Sequence, residues 1–152
     1  MELSDKHDYW VQVFTPATWQ RFLDNGAGVT GFRDLRWSHI QKIRAGDYLL
    51  CYLSRVSKWV GILEVISVPY LDTKRIWDEE LFPCRVDVRV LATLSLEAAV
   101  PIKSLQDQLS IFRAKNWSLY LIASPSRWHK EDGAAVAKAI YTAGLRSGRN
   151  PH

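Results

Sequence analysis

Gly46-Asp47-Tyr48-Leu49-Leu50-Cys51-Tyr52-Leu53-Ser54 and, after a short polar turn, Lys58-Trp59-Val60-Gly61-Ile62-Leu63-Glu64-Val65-Ile66 form the stretch that decides the fold. Two apolar, β-rich runs flank the turn Ser54 to Ser57, and Gly46-Asp47 breaks the preceding helical pattern, so the segment reads as a β-hairpin. The first run is almost continuously apolar. Such a strand needs cover on both faces, which points to a closed small barrel rather than an open edge. Gly61 stands where a strand interior ordinarily carries a side chain, and predicts a bulge, a tight bend or a close approach to the backbone.

On the N-terminal side, Tyr9 to Phe14 alternates as a strand, with Tyr9, Val11 and Val13 on one face and Trp10, Gln12 and Phe14 on the other. Thr15-Pro16 is an N-cap followed by proline at the first helical position, and Asn25-Gly26 is the stop of that short helix. Gly26 to Gly31 reads as a flexible loop without the glycine spacing or lysine of a phosphate loop. Asp34 caps a second helix expected to run to about Ile43. On the C-terminal side, Tyr70 to Pro83 is a long irregular stretch holding Trp77 and the acidic run Asp78-Glu79-Glu80; a loop of that length in a compact domain is more often functional than idle. Arg85 to Val90 alternates cleanly as a strand with one dry and one wet face. A short helix over Pro101 to Leu109, a last strand over Trp117 to Ile122 and a final helix from Lys130 to about Ala143, stopped by Gly144, complete the order. The class is α+β with a barrel-like sheet. Residues 1–8 are expected to be an N-terminal tail, 9–143 one domain and 144–152 a C-terminal tail.

Composition narrows the function. A chain of 152 residues with 47% apolar residues buries a core without disulfides or metals. No segment is long and uncharged enough for a bilayer, and the charged start, Met1 to Lys6, lacks a secretory h-region. Cys51 and Cys84 fit a reducing, cytoplasmic setting, and their spacing suggests no metal site. The net charge of +4 is uneven: residues 101–152 carry eight Lys/Arg against three Asp/Glu. A basic face fits a polyanion, and equally a solvated surface.

Catalysis finds little support. His7, His39, His129 and His152 lie in segments expected at the surface without companions at metal-ligand spacing. Glu64, the one acid in an apolar strand, is the candidate base for a small hydrolase or transferase. Aromatics interleaved with basic residues are the better lead, because flat side chains stack on bases. Trp59, Trp77 and Trp117 are the stacking candidates, Trp10, Trp19 and Trp37 are assigned to the core, and Arg85 is a wet-face strand arginine by default, a phosphate or base contact if the long loop folds over it. Arg33, Arg113, Lys115 and Asn116 are the candidates for contacts to a nucleic-acid backbone. A tryptophan hot-spot patch for a protein partner is the remaining alternative.

Tyr9-Trp10-Val11, Gly28-Val29-Thr30, Ile43 to Tyr48 with Tyr52-Leu53-Ser54, Val60 to Val65, and Ile76-Trp77-Asp78 with Phe82 to Val88 together resemble the signature of the EVE domain, in the PUA-like superfamily. The resemblance runs from about Asp8 to Ile140 and implies a small, strongly bent β-barrel ringed by short helices. Its YTH relatives hold a methylated adenine in an aromatic cage; EVE domains are thought to hold modified bases such as modified cytosines, as specificity modules beside nucleases in bacterial defence. By position, Val29, Thr30 and Gly31 would form one wall of the pocket, Phe14 and Thr15 its floor, Trp77 a stacking wall, and Arg85 its mouth. The sequence departs from the family in Thr30-Gly31-Phe32-Arg33, where asparagine and arginines are common, and in Leu53, where a histidine is. YTH domains carry a cage tryptophan where Thr30 stands. The expectation is a non-enzymatic module, without cofactor or metal, that holds a modified and flipped base of DNA or RNA in an aromatic pocket, with a separate nuclease as a possible partner.

Overall fold

The computed structural model describes residues 3, 4 and 6–148. Its spine is the expected hairpin, β3 (Tyr48–Leu53) and β4 (Lys58–Val65), which follows β1 (Tyr9–Phe14) and β2 (Val29–Phe32). Both faces of β3 are buried throughout, as its unbroken apolar run requires. β1 lies parallel to β3, with Tyr9 opposite Tyr48 and Phe14 opposite Leu53. Beyond β4 the sheet adds β6 (Cys84–Thr93) and then β2, both antiparallel, so the order is β2-β6-β4-β3-β1-β8, where β8 is Ser126–Trp128. Two short strands, β5 (Tyr70–Leu71) and β7 (Val100–Pro101), pair with β6 and β4. The mixed sheet curls into a half-barrel flanked by α1 (Pro16–Asp24), α2 (Trp37–Ile40) and α3 (Lys130–Gly148), an α+β fold.

The curl has a visible cause at Gly61. Cys51 pairs with Gly61 but Tyr52 pairs with Trp59, so the ladder skips a residue between them. A β-bulge of this kind bends and twists the strand. The Trp19 ring from α1 rests on the bare glycine: a Cβ there would lie 2.9 Å from the Ala92 carbonyl oxygen and 3.1 Å from the indole.

The sheet separates two apolar cores. One holds Trp10, Phe14, Phe22, Leu49, Trp77 and Val86 beneath α1 and the long loop. The other holds Tyr9, Val11, Trp59, Trp128, Val136 and Ile140 beneath α3. The alternation in β1 sends its two faces into these two cores. Asp47, fully buried, fixes the start of β3 by accepting from the Trp10 indole at 3.0 Å and from the Asp8 and Arg44 amides.

Several expectations need correction. The stretch read as a loop at Gly26–Gly31 runs into β2, because Val29 to Phe32 completes a ladder with Asp87 to Cys84 that local composition does not reveal. The helix expected from Asp34 to Ile43 is a 3₁₀ turn over Asp34–Arg36 and a single turn at α2. Trp117–Leu121 is a 3₁₀ turn, and the last strand is instead β8, paired antiparallel with β1. The expected helix over Pro101 to Leu109 reduces to a 3₁₀ turn at Ile102–Leu105. α3 runs through Gly144 to Gly148, since packing on the sheet outweighs the modest cost of one helical glycine. The expected C-terminal tail therefore begins in helix, and residues 149–152 lie outside the described residues, as do Met1, Glu2 and Asp5 of the N-terminal one. Among the described residues, no helix is long and apolar enough to cross a membrane.

Candidate nucleic-acid interface

A cavity of about 460 Å³ opens where β1 ends, between β2, the Trp77–Phe82 segment and the segment Ile122–Ser124. That volume is of the size that takes a small ring-containing ligand. The strand period explains its floor: Gln12 and Phe14 share the inward face of β1. Thr15 then caps α1, accepting from the Thr18 amide at 3.1 Å, while Thr18 Oγ1 accepts from the Thr15 amide at 2.9 Å. This reciprocal box turns the chain sharply from strand to helix, leaving Thr15 and Thr18 at the cavity edge.

Gly31 lets the opposite wall close. A Cβ on it would stand 2.6 Å from the Phe82 carbonyl oxygen and 3.0 Å from the Trp77 ring, so the long loop packs directly on the β2 backbone. The loop is pinned from two sides. Arg21 Nε on α1 donates to the Ile76 carbonyl at 2.6 Å, and the Trp77 indole donates to the Thr18 carbonyl at 3.1 Å. From β6, the Arg85 guanidinium donates to the carbonyls of Lys74, Leu81 and Phe82 and pairs with Asp72 at 3.4 Å. Phe82 sits at φ 46°, a left-handed conformation that a phenylalanine adopts only when its surroundings hold it there. Its half-buried ring meets Trp77 edge to face at 5.4 Å.

The polar groups of the cavity are unequal. Gln12, 2% exposed, is the most buried polar side chain lining it. Its Nε2 donates to Thr30 Oγ1 at 2.7 Å and to the Gly31 carbonyl at 3.2 Å. A carbonyl only accepts, so this contact fixes the orientation of the amide. Its Oε1 has no hydrogen-bond partner among the described residues, and neither has the buried Nε of Arg36, another lining residue. The Arg36 Nη2 is held by the Pro125 carbonyl at 2.6 Å, and the Val13 amide donates to Ser124 Oγ at 3.0 Å. At the exposed rim Arg33 pairs with Glu80 at 2.9 Å. Ile122, strongly exposed, is itself part of the lining, and Leu35, also strongly exposed, precedes Arg36 in the chain.

Of the residues singled out in the sequence, Phe14, Thr15, Gly31, Trp77 and Arg33 line this cavity. Trp77 is 1% exposed rather than partly open, because its indole is a bolt between loop and helix; it contributes a buried flank, and Phe82 is the more accessible ring. Thr30 is buried behind the floor as the partner of Gln12, and Val29 is half-buried, paired with Asp87 outside the cavity. Trp59 is corrected outright: its 0% exposure places it in the α3 core between Tyr52 and Trp128, on the other side of the sheet. Arg85 is corrected too: the long loop does fold over it, but the loop's own carbonyls and Asp72 take up the buried guanidinium, so it is neither a wet-face residue nor free to contact a base or phosphate. Arg113, Lys115 and Asn116 are exposed on the segment leading to Ile122–Ser124, with Arg113 lining a separate shallow cleft. Gln12, Arg36, Phe82 and Ser124 were missed. For Gln12 a signal existed, a polar residue between Trp10 and Phe14 on one strand face.

Glu64 does not reach this cavity. It is ion-paired with Arg89 across the β4–β6 ladder. Burial pushes the Cys51 thiol well above its ordinary range and raises Cys84, followed there by the Asp34 charge, which keeps both protonated. Desolvation, then the Arg36, Lys42 and Arg127 charges, lower His39 and favour its neutral form. A larger groove of about 870 Å³ runs between α3 and the Ser95–Gln108 segment. Its lining includes Ala98, Ala99, Ala135, Ala139 and Ala143, and none of the buried, unpaired polar atoms lies on it.

Comparison with known proteins bears on the fold that carries this cavity. A family model described as the EVE domain matches residues 8–127. A UPF0310 protein of Pyrococcus abyssi is 26% identical over 145 residues, covering 87% of this chain and 98% of its own. Among solved structures, the Pho92 YTH domain in complex with m6A superposes with a TM-score of 0.70 at 14% identity, over 92% of this chain and 87% of that one. The YTH domain of Zygosaccharomyces rouxii MRB1, in complex with N6-methyladenosine RNA, gives 0.64 at 15% identity, over 93% and 89%. These likenesses share a fold.

Proposed function

The chain belongs to the EVE domain family, and from that premise we propose that it is a non-enzymatic nucleic-acid-binding module that holds a modified base, flipped out of its strand, in the cavity at the end of β1. The observation that carries this reading is the cavity itself: a base-sized hollow flanked by Phe14, Trp77 and Phe82, with an unsatisfied polar atom on its most buried polar side chain. Flat apolar walls suit the faces of a heterocycle, and a buried polar group suits its edge. YTH domains of the same fold, solved with m6A and with N6-methyladenosine RNA, support the choice of ligand class. Extruding a base costs a few kcal/mol of stacking, which contacts in the cavity must return.

The strand on either side of that base would lie over Arg33 and the exposed Arg113, Lys115 and Asn116, where the C-terminal surplus of positive charge meets phosphates. Within this reading the domain supplies specificity, and a separate nuclease is the effector we propose. The test is a binding screen of modified and unmodified nucleosides and short oligonucleotides, followed by tryptophan fluorescence, since Trp77 borders the cavity. Saturable binding with a clear preference for one modified base is expected. Equal binding of all oligonucleotides, whatever their bases, would leave only a generic polyanion site.

A further inference from the structure

We propose that Gln12 is the specificity-determining acceptor of the cavity, and that the base it selects carries an exocyclic amino group, free or singly alkylated. This rests on the base-binding reading above and narrows it to amino-bearing bases, adenine, cytosine or guanine type, over uracil and thymine.

The argument is one of accounting for hydrogen bonds. Buried polar atoms in native structures are almost always paired, so an exception calls for a cause. Gln12 is an inward-facing polar residue between Trp10 and Phe14, 2% exposed, where an apolar side chain would fill the space without desolvation. Both of its amide hydrogens are spent, one on Thr30 Oγ1 and one on the Gly31 carbonyl. Thr30, fully buried, serves to hold the amide in one orientation. What remains is Oε1, a pure acceptor without a partner among the described residues, on a side chain that lines the cavity. A ligand completes it by presenting an N–H.

The kind of N–H follows from what surrounds it. An imide, as in uracil or thymine, sets its N–H between two carbonyls, and each needs a donor. Gln12 has no donor left to give, because both its amide hydrogens are taken. An amino group beside a ring nitrogen asks for one acceptor and one donor. Arg36 lines the same cavity, and its Nε, buried and without a partner among the described residues, is a donor of that kind, while its Nη2 donates to the Pro125 carbonyl. A singly alkylated amino group keeps one hydrogen for Gln12 and turns its alkyl group toward the aromatic flank.

The experiment uses the full chain with single-stranded pentanucleotides of one design, UUXUU and its deoxy counterpart TTXTT. X is adenine, N6-methyladenine, cytosine, 5-methylcytosine, uracil or thymine, or one of two analogues, purine and pyrimidin-2-one, which lack only the amino group. Because the analogues remove an N–H without adding bulk, they isolate the hydrogen bond. Where they bind, adenine is expected to bind at least about tenfold more tightly than purine, and cytosine than pyrimidin-2-one. Gln12→Met, of similar shape and without the acceptor, should bring the two members of a pair to equal affinity, its folding checked by thermal melting. The side-chain amide resonance of Gln12 should shift on binding the amino base and stay in place with the analogue.

Binding without preference for the amino group, a uracil or thymine oligonucleotide as the tightest binder, or a preference that survives in folded Gln12→Met would overturn the assignment of Gln12 while leaving the base-binding reading intact. If Gln12→Met fails to fold, the wild-type pairs and the amide resonance decide alone. Absence of base-dependent binding by any of these oligonucleotides would overturn both.

Discussion

The indole Nε1 of Trp77 donates to the main-chain oxygen of Thr18 at 3.1 Å, across 59 residues of sequence. That contact makes Trp77 a structural bolt as well as a flank of the cavity. Trp77→Ala should therefore lower the free energy of unfolding by about 3–5 kcal/mol, as large aromatic truncations in cores do. Trp77→Phe keeps most of the packing and removes only the indole N–H that bonds the Thr18 carbonyl, which retains its helical partner, and should cost about 0.5–1.5 kcal/mol. Urea unfolding of both variants measures this; an unchanged midpoint for Trp77→Ala would show that the loop is not held through it.

Gly61 is a second site where packing decides. The Ala92 carbonyl and the Trp19 ring occupy the space that a side chain would need. Gly61→Val should destabilise by about 1–3 kcal/mol through overpacking, with a lower melting temperature as the readout. A melting temperature equal to that of the wild type would mean that the strand shifts freely at its bulge.

Alkaline stability should report on Tyr70. Burial first, then the hydrogen bond to Asp87 and that carboxylate's charge, push the phenol up to about 12, against about 10 in an unfolded chain. A group whose pKa is raised by folding gives stability that is complete below the unfolded value and is lost as pH climbs through the folded one. Unfolding midpoints of the wild type should therefore fall between about pH 10 and pH 12. Tyr70→Phe should make that decline shallower; equal slopes would contradict the assignment. Tyr52 and Tyr141, also raised by burial, act in the same direction, so the slope should shrink rather than vanish.

Strand holding and base choice should separate. Arg113 and Lys115 are exposed and do not line the cavity. Replacing both with Gln should weaken modified and unmodified oligonucleotides alike and flatten the salt dependence by roughly one unit per lost phosphate contact. A loss of discrimination in that variant would move the specificity site to the Arg113 side.

The fold was largely legible because its determinants are local and periodic. Alternation in β1 announced which residues share a face, the unbroken run of β3 announced cover on both sides, and Gly61 announced a bulge, a bend or a close approach. The failures occurred where a non-local partner decides. Val29 to Phe32 looks like a loop until β6 pairs with it, and Trp117 to Ile122 looks like a strand until Ser126 to Trp128 takes the place beside β1. The site follows the same division. Phe14, Thr15 and Gly31 were placed at the cavity by the family resemblance, since strand period and turn chemistry alone do not single them out. Trp59 and Arg85 were misplaced because period 2 tells which residues share a face, but neither which core that face meets nor which loop covers it. Arg36, Phe82 and Ser124 come together only through tertiary closure. Gln12 was readable, as a polar residue where β1 required an apolar one.

The central claim is that the cavity at the end of β1 receives a nucleobase, and amide chemical-shift mapping during titration with the preferred oligonucleotide tests it most directly. The account predicts that the largest saturable shifts fall on Gln12, Phe14, Gly31, Phe82 and Ser124, with smaller, salt-sensitive shifts at Arg113 and Lys115. Shifts gathered instead along the α3 groove, around Ala139 and Arg146, with the cavity residues unmoved, would contradict it.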